Sequence, residues 1–203
     1  TDPPFGDFIP YSEINQVNEA WLGNITNQEN EAIINSAQSK GVMEYNRLMR
    51  AVFAEANRVL KGTGCMSVVF HSAKAEIWKA LIDSYQMSNL QVIASSILDK
   101  IQSSFKQTNS TVKVQGDPIL LLSKVPVINN DKTLVRKDEG LLLIKKILKH
   151  AFITTNNPDE QKPERLFSRY INACLESRHP ISYDASEFYN IIKKELANYQ
   201  YTL

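Results

Sequence analysis

The run Cys65-Met66-Ser67-Val68-Val69-Phe70 decides the fold class. It is a short apolar stretch with Gly62 and Gly64 before it and His71-Ser72 after it, which predicts a buried strand. Upstream, Tyr45, Leu48, Met49, Val52, Phe53, Ala56, Val59 and Leu60 recur at three- and four-residue steps between Glu44 and Lys61. That is the stripe of a helix packed on a core, with Gly62 and Gly64 to end it. Downstream, Ser72 is placed to cap a helix that buries Trp78, Leu81, Ile82 and Tyr85. Leu90–Ile97 and Pro118–Val125, the second with an Ile-Leu-Leu-Leu centre, read as two further strands. Strand, helix, strand in this rhythm predicts an α/β sheet.

Farther out the chain changes character on both sides. Residues 1–25 read as a proline-rich loop followed by an amphipathic piece from Tyr11 to Leu22. Thr26 and Glu29 stand in capping-box spacing, ahead of a polar stretch at 27–40. After Pro126, Val127 to Asp131 reads as a linker with Asn129-Asn130-Asp131 as its turn. Three helical stripes follow: Leu143, Ile144, Ile147, Leu148, Ala151, Phe152; then Leu166, Phe167, Tyr170, Ile171, Cys174; then Phe188, Ile191, Ile192, Leu196. Asp184 and Glu187 stand in capping-box spacing before the last, and Pro158, Pro163 and Pro180 punctuate the set. The expected organisation is an α/β part over 1–126 and a helical appendage over 127–203.

With 203 residues, 23 Lys+Arg against 22 Asp+Glu and mean hydropathy −0.29, the composition is that of one ordinary globular domain with a small appendage. No apolar stretch approaches the ~18 residues of a membrane span and no signal-peptide pattern opens the chain, so a cytoplasmic protein is expected. Cys65 and Cys174 lie 109 positions apart with no Cys/His cluster near either, which excludes a disulfide framework and a structural zinc site. The balance hides an asymmetry: residues 1–60 carry four basic and eight acidic side chains, the remainder nineteen and fourteen.

The residues with the clearest chemistry are Asp2-Pro3-Pro4-Phe5. Two prolines fix φ and remove two donors, leaving carbonyls free to accept from a ligand. An acid before them and an aromatic ring after them make a pocket for a planar amine. The Asp2 carboxylate and a proline carbonyl can take both hydrogens of an exocyclic NH2 while Phe5 stacks on the ring. Accepting both N–H groups turns the nitrogen lone pair out of conjugation, which lets it attack an electrophile. Methylation of an amino group on a flipped nucleobase needs that arrangement. Read alone, the same four residues are also a rigid surface turn.

In context the sequence resembles the amino-methyltransferases of DNA, whose signature is Asp/Asn/Ser-Pro-Pro-Tyr/Phe/Trp, and especially the adenine-specific methylases of bacteria with T-D-P-P-Y/F. Tyr11-Ser12-Glu13 and Trp21-Leu22 match segments that follow the tetrad in that group. Phe53, Glu55, Arg58-Val59-Leu60-Lys61 and Gly64 match a helix end, Phe70-His71 with Trp78 a strand end and the next helix, and Leu120-Leu121-Leu122-Ser123-Lys124 a late strand. The ordered set spans roughly residues 1–125.

The resemblance implies a partial Rossmann-like methyltransferase sheet, with Cys65–Phe70, Leu90–Ile97 and Pro118–Val125 as the fifth to seventh strands and the fourth ending just before Thr1. It implies that Asp2 and the Pro3 carbonyl hold the amine, Pro4 shapes the turn and Phe5 stacks on the base. Phe105, before the last strand, is the candidate second aromatic wall. S-adenosylmethionine is the implied donor, DNA the substrate, and a restriction endonuclease or an N-terminal part of the same enzyme the implied partners. The family's glycine-rich cofactor turn is missing: Gly62-Thr63-Gly64 follows a helix and precedes a strand, the place of a C-cap. The chain therefore reads as the C-terminal portion of a larger enzyme, expected to bind the cofactor poorly by itself. Its cofactor-binding residues stay unassigned.

The remaining candidates are weaker. His71 either approaches the pocket or caps the next helix, and capping is the plainer reading. His150 and His179 have no partner at ligand spacing, so no metal is expected. Cys65 reads as core of its strand. Lys132, Arg136, Lys137, Lys145, Lys146 and Lys149 against Asp138 and Glu139 make 132–150 a basic amphipathic helix, either a solvated face or a phosphate-contacting recognition module. Lys100, Lys106 and Lys113 extend the same track. Cytosine-N4 methylation and a non-catalytic DNA- or partner-binding module that keeps the sheet are the alternatives to adenine-N6 methylation.

Overall fold

A computed structural model describes residues 1–7, 9–98, 116–124, 137–155 and 157–200. Three strands, β1 (Cys65–Val69), β2 (Leu90–Leu98) and β3 (Asp117–Lys124), form a sheet in the order β1-β3-β2, with β3 antiparallel to both neighbours. The central place of β3 follows from its Ile119-Leu120-Leu121-Leu122 run: Leu120 and Leu122 are fully buried, and an apolar run without alternation suits a strand covered on both faces. Val68 pairs with Leu120 and Ser95 pairs with it from the other side. Ile93 is an extra residue in β2, where the register shifts between Val92 and Ala94.

The first helix, α1 (Tyr11–Leu22), and the second, α2 (Val42–Val59), precede β1, while α3 (Ala75–Gln86) links β1 to β2. Of the stripes read from the sequence, Tyr45, Leu48, Met49 and Phe53 are buried on α2 and Trp78, Leu81 and Tyr85 on α3, where Ile77 is buried as well and Ile82 only partly. Beyond β3, α4 (Lys137–Lys149) runs into a π-helical turn at His150–Thr155, followed by α5 (Pro163–Ser177) and α6 (Ala185–Gln200). Pro163 starts α5, where its missing N–H costs no helical bond. The helix α5 packs on β2 and β3, and Phe167, Tyr170, Ile171 and Phe188 share one hydrophobic cluster with Phe70, Trp78 and Leu120.

Several local expectations are corrected. Ser72 does not supply the side-chain cap of α3: Lys74 occupies the N-cap position, and the Asp184 carboxylate accepts from the Ala75 amide, 109 residues away. Asp184 therefore forms only half of its own capping box, its amide donating to the Glu187 carboxylate at 3.1 Å. Thr26 starts no helix; its hydroxyl and amide donate to Glu19, and Asn27 caps a short 3-10 turn at Gln28–Asn30. The α2 helix stops at Leu60, so Gly62 and Gly64 shape the turn into β1 instead of capping the helix. Cys65 is exposed because it opens β1, beyond the reach of the packed helices. Val52 and Val59 of the α2 stripe and Ile14, Val17 and Trp21 of α1 are also exposed, with Trp21 at 89%.

Candidate functional site

The tetrad sits at the upper edge of β1. The Thr1 ammonium donates to the Ser67 carbonyl at 2.7 Å, and the Val69 amide donates to the Thr1 carbonyl at 3.0 Å. One residue bonding to two positions two apart is the parallel-strand pattern, so Thr1 lies parallel to β1 on the edge that β3 leaves open.

From there the loop is held at each step. Pro3 is buried. The Tyr45 hydroxyl, wholly inside the protein on α2, donates to the Pro4 carbonyl at 2.6 Å. Burial pushes the Tyr45 phenol well above its ordinary pKa, against a weaker opposing hydrogen bond from the Gly6 backbone, so it stays a neutral donor. The Phe5 ring meets Phe70 edge-on at 5.2 Å, and Phe70 meets Trp78 edge-on at 4.9 Å. The Trp78 indole N–H donates to the Ser72 carbonyl at 2.9 Å. This aromatic column fixes one side of Phe5. Beyond it, the Ile34 amide donates to the Gly6 carbonyl at 3.0 Å, and Asp7 pairs with Lys74 at 2.9 Å. The Asp7 hydrogen bond raises the Lys74 pKa.

Gly6 has no substitute. Its φ is +73°, and a Cβ there would stand 2.7 Å from Ile77 Cδ1. Gly6→Ala is therefore expected to destabilise the chain by about 2 kcal/mol through backbone strain and overpacking. A thermal melt checks this, and an unchanged Tm would show that the loop is not seated on α3.

The Asp2 carboxylate and the Pro3 carbonyl find no hydrogen-bond partner among the described residues. Both belong to the short loop that carries the half-buried Phe5 ring. His71 joins them: its ring centroid lies 6.2 Å from that of Phe5, and its Nδ1 stands 3.0 Å from Asp117 Oδ1 on β3. The two atoms lie close without the alignment of a good hydrogen bond. His71 thus faces the tetrad and does not cap α3.

A family model of DNA methylases matches residues 1–193. The chain belongs to the DNA methylase family. No curated protein and no solved structure matches it. The match shows a DNA amino-methyltransferase with DNA as its substrate, and the mixed α/β sheet with its helices agrees with part of a methyltransferase fold.

Other residues singled out in this methylase fall in different places. Phe105, Lys106, Lys113 and Arg136, like Lys100, Lys132 and the linker, lie outside the described residues. Lys137 opens α4. Lys146 and Lys149 are exposed on α4, and Lys145 pairs with Glu195 of α6 at 3.6 Å. His179 faces Glu139 at 3.7 Å. Cys174 is buried, which pushes its thiol up to about 12 and keeps it inert. A cavity lined by Arg50, Asn57, Arg58, Ser88 and Lys124 lies at the far end of β3 from the tetrad. No group of three metal-ligating side chains occurs among the described residues, and no described helix is long and apolar enough to cross a membrane.

Sequence reasoning missed Tyr45, Gly6 and Asp117 as parts of the site. Gly6 directly after Phe5, and an acid at the start of a buried strand, were the available signals.

Proposed function

We propose that this DNA methylase chain holds the exocyclic N6 amine of a flipped adenine in DNA for methylation. The observation that carries the reading is the unshared acceptor pair of Asp2 and Pro3 beside Phe5. Tyr45 occupies the Pro4 carbonyl, so the neighbouring Pro3 carbonyl is the one left for the base. Asp2 takes one N–H and Pro3 the other, the lone pair turns toward the incoming methyl carbon, and Phe5 holds the ring by stacking. The helical appendage over 127–203 contributes phosphate contacts through Arg136, Lys137, Lys145, Lys146 and Lys149, together with Lys106 and Lys113. Phe105 supplies a second wall for the base. Adenine is favoured over cytosine by the Asp-Pro-Pro-Phe form that follows Thr1.

S-adenosylmethionine is the donor that supplies an electrophilic methyl group in this reading. The residues described do not fit its adenosyl portion. Gly62 borders open space and Gly64 packs on Leu60, so they line a turn into β1 and not a cradle after a strand. The chain's own part is the methyl-accepting side, and its cytoplasmic setting and any endonuclease partner belong to the same proposal.

Digesting DNA after methylation by the protein at its native length identifies the product nucleoside. N6-methyladenine is expected; N4-methylcytosine moves the reading to the other amine.

A further inference from the structure

We infer that His71 takes up the proton that the target amine releases, with Asp117 held behind it. The inference rests on the tetrad being the amine pocket. A nitrogen that gains a methyl group must shed one of its hydrogens. The N–C bond forms, the methyl carbon's bond to its sulfonium donor breaks with the electron pair staying on sulfur, and one N–H proton leaves.

Asp2 is poorly suited to keep that proton. It is exposed, and a carboxylate that aligns the N–H groups serves best while it stays an acceptor. His71 is a titratable side chain set beside the tetrad ring. Its Nδ1 is buried and stands 3.0 Å from a carboxylate that is itself 1% exposed. Its Nε2 keeps solvent access and finds no hydrogen-bond partner among the described residues. One nitrogen against a buried carboxylate, on an imidazole whose centroid lies 6.2 Å from that of Phe5, is the arrangement of a general base.

The surrounding charges agree with this role. Asp117 faces His71 from β3. From α5, the Arg165 guanidinium reaches to 3.1 Å of where a Gly116 Cβ would stand, one residue before Asp117. Arg165 also pairs with Glu160 at 3.0 Å. Lys74 is taken by Asp7, and Asp184 by the α3 amide. The buried carboxylate beside the imidazole can stabilise the imidazolium as it forms, before the proton passes from Nε2 to water. On the strand side, Gly116 at φ +83° places Asp117 at the start of β3.

Two measurements test the assignment. Diethyl pyrocarbonate should acylate His71 in the chain as it stands, and duplex DNA should protect His71 more than His150 or His179. In the protein at its native length, His71→Gln should slow single-turnover methylation about 100-fold at neutral pH with DNA affinity unchanged. Added imidazole should restore rate to His71→Ala, and Asp117→Asn should slow the step while keeping the fold. A His71→Gln rate within about threefold of wild type would overturn the assignment, as would DNA that leaves His71 reactivity unchanged. If Asp2→Ala were active as well, the amine pocket itself would fall; an inactive Asp2→Ala beside an active His71→Gln would sink only the proton acceptor.

Discussion

Asp2→Ala is expected to lower methyl transfer by about two to three orders of magnitude while leaving melting temperature and DNA affinity near wild type. Asp2 is exposed and has no partner within the described residues, so the fold loses little when its carboxylate goes. What is lost is one of two acceptors that align the amine. With the Pro3 carbonyl alone, one N–H is held, and the nitrogen lone pair stays largely conjugated with the ring. Asp2→Asn keeps one acceptor oxygen and adds a donor toward the amine, so it should fall between wild type and Asp2→Ala. Single-turnover transfer of labelled methyl groups separates this chemical effect from DNA binding. A full-rate Asp2→Ala protein would place the amine elsewhere.

The second large effect concerns the column behind Phe5. Trp78 is 1% exposed, meets Phe70 edge-on at 4.9 Å and anchors its N–H on the Ser72 carbonyl. Trp78→Ala removes the ring, opens a cavity between α3 and β1, and leaves the Ser72 carbonyl without its donor. The expected cost is about 3–5 kcal/mol, at about 2–4 °C of Tm per kcal/mol for a chain of this size. Phe70 then loses its support and Phe5 its fixed side, so turnover at a temperature where the variant remains folded should drop as well. Calorimetry reads the first effect. A variant that melts like wild type would mean that the column carries little of the core.

The column also shows how far the sequence could be read. Cys65–Phe70, the α2 stripe and the Ile-Leu-Leu-Leu run of β3 were legible because burial on a helix face or within a sheet imposes a period or an unbroken apolar run. Asp2, Pro3 and Phe5 could be singled out because the amine pocket proposed above needs those residue types side by side. The other contacts could not, since they join residues that no local pattern connects. Asp184 reaches the α3 amide across 109 positions, and His71 meets Asp117 across two strands. Tyr45 reads as one more core residue until its hydroxyl is seen on the Pro4 carbonyl. Exposure was equally hidden: the spacing of Ile14, Val17 and Trp21 on α1 matches a buried face, but a stripe does not reveal whether anything covers it.

The claim at the centre of this account is that the face of Phe5 receives the target base. Replacing Phe5 with p-azidophenylalanine in the protein at its native length and irradiating it with duplex DNA tests that contact directly. The account predicts a crosslink to adenine, identified by mass spectrometry of the peptide around residues 1–7, and its loss when Asp2 is also changed to Ala. A crosslink confined to the sugar-phosphate backbone, or one equally strong with Asp2→Ala, would contradict it.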